Sequence, residues 1–299
     1  MRRFARPLLP AAVVLSIALT ACSGSGGSTG PIDHPTGNDL VLRIEYSGGF
    51  VGPAFFLTNF PSFTLTGDGR VIVPGAQIDI FPGPALPAVN VRRLSEAGMQ
   101  SVLNEVARTG LFGTSIAFRG AQNCVADASD TLFTLHADGR DVQVAVYGLG
   151  TLGPGGGCQG VSSAEVAAHQ TLQNLTDRLT NLDAWLPATA WAETTWHPYQ
   201  PAALRLLVRN ADADPPDGSG VGNGLVDWQD SSDPATFGDL SALTEQRCGV
   251  VSGQQALDWY AALAGANQLT RFVKDDHRYE VVVRLQLPDE PLECPKAAT

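Results

Sequence analysis

The sequence predicts an α+β fold, a mainly antiparallel sheet with helices packed on one face, plus a smaller C-terminal α/β unit. Three observations carry this. FTLTGDGRVIV and TLFTLHADGRDVQVAVYGLG each set a turn dipeptide, Asp68-Gly69 or Asp138-Gly139, between alternating apolar residues, the pattern of a β-hairpin. Two segments of helical period, each opened by a serine, sit between and after these hairpins. The resulting order, strands, helix, hairpin, helix, suits a sheet with two helices on one face.

Along the chain, residues 40–46 alternate with Leu40, Leu42, Ile44 and Tyr46 on one side, a half-buried strand. The first helix starts from a Ser95 cap, with Leu94 and Met99 as a hydrophobic staple. It carries Met99, Val102, Leu103 and Val106 on one face and stops at Gly110. The second starts at Ser162 with Glu165 completing a capping box, and Leu172, Leu175, Leu179 and Leu182 form its stripe. Residues 203–208 form an apolar strand, and a long Asp/Gly-rich loop runs on through Asp239. A third helix takes Ser252 and Gln255 as its capping box, with Leu257, Tyr260 and Leu263 inward, and residues 279–287 are the last strand.

The ends of these elements set the expected organisation: residues 1–21 as a signal peptide, 22–37 as a flexible tether, 38–187 as an N-terminal α+β domain. A linker at 188–201 then leads to the C-terminal unit at 202–299. Arg2, Arg3 and Arg6 precede an apolar run of about a dozen residues, too short for a hydrocarbon core of roughly 30 Å. Leu19-Thr20-Ala21-Cys22 resembles the bacterial lipobox, which implies lipidation of Cys22 and a lipid anchor on the outer face of the cytoplasmic membrane.

Removing the signal leaves 16 basic against 30 acidic residues, a balance near −14. So acidic a chain offers no basic footprint for nucleic acid. Cys124, Cys158, Cys248 and Cys294 remain, an even number in an exported chain, which argues for disulfides with three possible connectivities. Their grouping into a middle and a C-terminal pair favours Cys124–Cys158 and Cys248–Cys294. None belongs to a C-x₂₋₄-C pair, so no zinc site is expected.

The two hairpins, the helix LSEAGMQSVLNEVARTGLF, the stretch RCGVVSGQQALDWYAAL and the closing LPDEPLEC resemble uncharacterised bacterial exported lipoproteins, over most of residues 38–294. The likeness rests on turns, caps and cysteines. It implies the architecture and no catalytic residue.

Motifs for chemistry are sparse. His34, His136, His169, His197 and His277 stand at no metal-ligand spacing, no strand-to-helix turn carries a G-x-S-x-G elbow, and no phosphate-binding P-loop occurs. No catalytic residue, metal or cofactor is therefore predicted. Asp212, Asp214, Asp217, Asn223, Asp227 and Asp230 gather in one acidic stretch. NGLVDWQD fits the second half of a calcium loop, but Val221 falls where a ligand is needed, so a solvated loop is expected. Trp185, Trp191, Trp196 and Tyr199 suit packing at a domain seam better than a sugar platform. The sequence thus predicts an anchored binding or interaction module with a protein or cell-envelope partner. Its alternatives are a hydrolase whose residues converge only in space and a calcium-stabilised surface protein.

Overall fold

Fourteen strands in two sheets and four α-helices make up the computed structural model, which describes residues 30–153, 158–215, 224–242, 244 and 246–295. Cys22 and the rest of the signal and tether up to residue 29 lie outside the described residues.

The first strand, β1 (Leu40–Gly48), leads to the short α1 (Phe55–Thr58) and then the hairpin β2 (Phe63–Thr66) and β3 (Arg70–Pro74). Next come β4 (Val89–Arg93), α2 (Glu96–Arg108) and β5 (Ile116–Phe118). The second hairpin is β6 (Ser129–Ala137) and β7 (Arg140–Tyr147), followed by α3 (Ser163–Leu179) and β8 (His197–Pro198). These strands form one sheet in the order β5-β7-β6-β1-β2-β3-β4-β8, antiparallel except where β5 joins β7. Both predicted hairpins are present. In the second, Asp138 and Gly139 have φ of +51° and +66°, the mirror-image turn that matches strand twist.

Both serine caps are present. Ser95 Oγ accepts from the Gly98 N–H and Ser162 Oγ from the Glu165 N–H, each satisfying a donor that the helix leaves unpaired. The expected capping box of α3 is only half made. The Glu165 carboxylate turns away from its own helix to accept the Gly120 N–H at 2.5 Å. Met99, Val102, Leu103 and Val106 of α2 meet Leu172, Leu175 and Leu179 of α3 over Leu42, Ile44, Phe63, Phe133 and Val144 of the sheet. Burying each such side chain contributes about 1.5–3 kcal/mol.

The second sheet comprises β9 (Ala203–Asn210), β10 (Leu225–Asp227), β11 (Asp239–Leu240), β12 (Arg247–Ser252), β13 (Arg271–Lys274) and β14 (His277–Leu285). Its order is β10-β13-β14-β9-β12-β11, and α4 (Gln254–Ala264) packs on it. Leu204, Leu206 and Val208 of β9 and Val281, Val283 and Leu285 of β14 share one face. They meet Trp259 and Leu263 of α4 together with Ile72 and Val89 of the first sheet and Tyr199, just past β8. From Ile32 onward the chain is one compact unit.

Several expectations change. β1 is not half-buried: Val41, Leu42, Arg43 and Ile44 are all enclosed, because helices cover one side and the C-terminal segment the other. The segment expected as a linker is built into the fold. Ala190 O accepts the Ser95 N–H at 2.9 Å, Trp191 bridges to Leu94, and β8 pairs with β4. The packed chain also begins before residue 38, since Ile32 exchanges two hydrogen bonds with the Gln100 side chain at 2.8 and 2.9 Å. On α4 the cap is Gly253, at φ +59°, not Ser252, which ends β12. The inward face is accordingly Ala256, Trp259 and Leu263, Tyr260 is part-buried, and Leu257 is 52% exposed. The last hairpin has a second arm, β13, that the sequence analysis missed. Its turn is Asp275-Asp276, with φ of +50° and +62°, a conformation that asparagine and aspartate adopt more readily than other residues with a Cβ.

Candidate functional site

Three strands each carry an arginine inside an apolar run: LVLRIEY in β1, ALRLLVRN in β9 and YEVVVRL in β14. Alternation sends Leu204, Leu206 and Val208 of β9 and Val281, Val283 and Leu285 of β14 to the α4 side and sends Arg205, Leu207, Val282 and Arg284 to the opposite face. That face is covered by α1, through Leu57, and by the C-terminal segment, which Cys294 ties to Cys248 of β12. The sheet register puts Arg205 directly opposite Arg284. Both are enclosed, at 7% and 6% exposure. Like charges opposed across a sheet are destabilising, and burial raises the cost.

The C-terminal segment supplies the compensating charge. Glu290 accepts from Arg284 through both carboxylate oxygens at 2.5 Å, and from the Leu287 N–H at 2.9 Å. Asn59 O, at 2.7 Å, and Gln286 Oε1, at 3.0 Å, take further Arg284 donors. Burial pushes the Glu290 carboxyl up, but its bonds to Arg284 outweigh this and hold it below the usual range. Asp289, next along the chain, pairs with Arg43 of β1 at 2.7 Å. Arg284 and Arg43 therefore each have a carboxylate.

Arg205 has none. Among the described residues the only hydrogen bonds of its side chain go to two neutral carbonyls, Leu57 O at 3.1 Å and Glu293 O at 3.4 Å, and its Nε–H is buried without an acceptor. Burial, and next the Arg284 charge, pull its pKa down to about 10, so it remains a cation at neutral pH. Arg205, Arg284, Glu290 and Glu45 line one cavity of about 260 Å³, rimmed by Tyr46, Phe55 and Phe56. The side chain of Glu45, on β1 two residues beyond Arg43, has no hydrogen bond or ion pair among the described residues. Burial raises its pKa, partly opposed by Arg43 and Arg284 and reinforced by Glu290 and Asp289.

The Glu45 shift makes a prediction. With the folded value above the ordinary 4.5, the neutral carboxyl stabilises the fold at low pH, and this is lost as pH rises through the raised value. At pH 7 the ionised side chain is a burden on the fold. Glu45→Gln is expected to raise the thermal midpoint at pH 7, with the gain fading below pH 4.5. Melting curves across that window check it, and a variant less stable than wild type at neutral pH would contradict it.

The residues singled out in the sequence lie elsewhere. Cys124 bonds to Cys158 and Cys248 to Cys294, with Cα–Cα separations of 5.7 and 6.0 Å. Asp212 is held down to about 2 by the Arg278 backbone N–H, the Asn210 side chain and His277. Asp214 pairs with Arg209 and Arg271, and Asp230 accepts from Ser232, Trp228 and Trp259. Asp227 is at the end of β10, while Asp217, Val221 and Asn223 are outside the described residues. Among the described residues, no three His, Cys, Asp or Glu side chains gather as metal ligands would.

Of the histidines, His34 contacts Glu96, His136 contacts Asp141 and His277 contacts Asp212; His197 contacts Thr195. His169 is buried, its ring nitrogens without a hydrogen bond among the described residues and Nε2 4.0 Å from Glu165, and burial lowers its pKa. The Arg92 guanidinium stacks 3.8 Å over Trp191, which meets Trp196 edge to face, and Arg178 stacks over Trp185. Tyr199 buries its ring and donates to Gln286 O at 2.8 Å.

The sequence analysis missed Arg43, Glu45, Arg205, Arg284, Asp289 and Glu290. Their signal was present: an arginine set amid leucines and valines needs a buried partner or a ligand. Compared with family models, with curated proteins and with solved structures, the chain matches none, so its functional reading rests on this cavity.

Proposed function

We propose that this chain is an extracytoplasmic lipoprotein, anchored through Cys22, whose cavity between β1, β9 and β14 binds a small carboxylate. The anchor is supported by the charged, short apolar start and by the lipobox-like LTAC, together with the two disulfides expected of an exported chain. The observation that carries the binding reading is Arg205. Two buried guanidinium groups stand opposite one another, and Glu290 beside them spends both carboxylate oxygens on Arg284, leaving Arg205 with neutral carbonyls.

A ligand carboxylate gives Arg205 the partner it lacks, through charge-assisted hydrogen bonds, the strongest kind available to arginine. The aromatic rim suits a ligand with an apolar tail. Binding fits better than hydrolysis, because Glu290 is committed to Arg284 and leaves Glu45 without a second free acid.

Thermal unfolding in sodium acetate, 4-methylpentanoate and succinate, against sodium chloride at equal ionic strength, tests this reading. A ligand that binds only the folded state raises the midpoint with concentration. At least one carboxylate is expected to do so in wild type and to have no such effect on Arg205→Met. No shift by any of them, or the same shift in the variant, would overturn it.

A further inference from the structure

Resting on that reading of the cavity, we infer that its ligand is zwitterionic, an α-amino acid with an apolar side chain, bound by Arg205 at the carboxylate and by Glu45 at the ammonium. Counting partners leads here. Of the three arginines and three acids around the cavity, Arg43 pairs with Asp289 and Arg284 with Glu290. Arg205 and Glu45 are left over, line the same space, and form no ion pair with each other. A molecule carrying a single negative charge satisfies Arg205 and leaves Glu45 alone in a partly dehydrated site. One carrying both charges answers each with its opposite.

The remaining lining agrees. A primary ammonium has three donors, and Glu45 has two unengaged oxygens to accept them. Phe55 and Phe56 line the same space, Phe56 at 45% exposure, which suits an apolar side chain. The volume of about 260 Å³ falls below the roughly 300–1,000 Å³ of pockets for drug-sized ligands. It admits something the size of one amino acid.

Calorimetric titration with L-leucine and with 4-methylpentanoate, which has the same carbon skeleton without the amine, separates the two charges. Wild type is expected to bind leucine at least tenfold more tightly than 4-methylpentanoate. Glu45→Gln is expected to lose that preference and bind both about equally, and Arg205→Met to bind neither. Equal binding of the two by wild type, or an unchanged preference in Glu45→Gln, overturns the zwitterion and leaves carboxylate binding standing. Failure of wild type to bind either molecule overturns both readings.

Discussion

Replacing Cys248 and Cys294 together by serine is expected to destabilise the protein by about 4 kcal/mol, the chain-entropy value for a loop of this length, given a separation of 46 residues. The Cys124–Cys158 bridge closes 34 residues and has nearly the same expected effect on stability. The two differ in what they hold. Cys294 fixes the segment carrying Asp289 and Glu290, and with it the carboxylates that neutralise Arg43 and Arg284. Cys158 instead sits against Ala121, Leu152 and the start of α3. Chemical denaturation should therefore show similar losses for the two double variants. Binding of a carboxylate should weaken at least tenfold only when the 248–294 bridge is removed. Equal weakening by both would mean that the C-terminal segment holds its place without its clamp.

Gly98→Ala carries the second large effect, and its sign runs against the usual one. In a helix interior, alanine for glycine ordinarily gains about 1 kcal/mol. Here a Cβ would stand 2.1 Å from Ala190 O and 3.0 Å from Ala190 C. That carbonyl cannot simply retreat, because it accepts the Ser95 N–H at 2.9 Å, at the cap of the same helix. Forcing a methyl into such a space costs about 1–3 kcal/mol or more. Loss of the contact beside the cap adds to it. A fall in thermal midpoint of about 5–10 °C is expected for a domain of this size. A rise would show that the 188–201 segment moves aside freely, as a linker would.

Local chemistry made the first half of the fold legible. Asp68-Gly69 and Asp138-Gly139 turn between alternating strands, and Ser95 and Ser162 each cap a helix whose apolar stripe reaches the core. Failures occurred where distant contacts override local pattern. Glu165 follows a serine at capping-box spacing, yet Gly120, 45 residues away, competes for its carboxylate. Ser252 looked like a cap, but pairing with Ala203 keeps it in β12. The spacing of Ala256, Trp259 and Leu263 was readable; the choice of Leu257 as an inward residue was the error.

The cavity was the least legible feature, because residues 45, 205, 284 and 290 come from two sheets and the C-terminal segment and meet only in the packed fold. Yet each strand announced itself. Arg205 and Arg284 interrupt runs of leucine and valine that would otherwise be plain core. A buried arginine with no carboxylate is costly to the fold, and such groups concentrate at functional sites. What the sequence could not supply was the register that sets the two guanidinium groups face to face.

The unfolding free energy of Arg205→Met, measured without ligand, tests this account most directly. If the fold bears Arg205 as a burden for the sake of a ligand, the variant folds and is as stable as wild type or more so, as when apolar residues replace buried charge. A loss of about 3–5 kcal/mol, the size seen when one member of a compensated buried ion pair is removed, would contradict it. Arg205 would then be a structural partner of Leu57 and Glu293, and the cavity would have no charge waiting for a ligand.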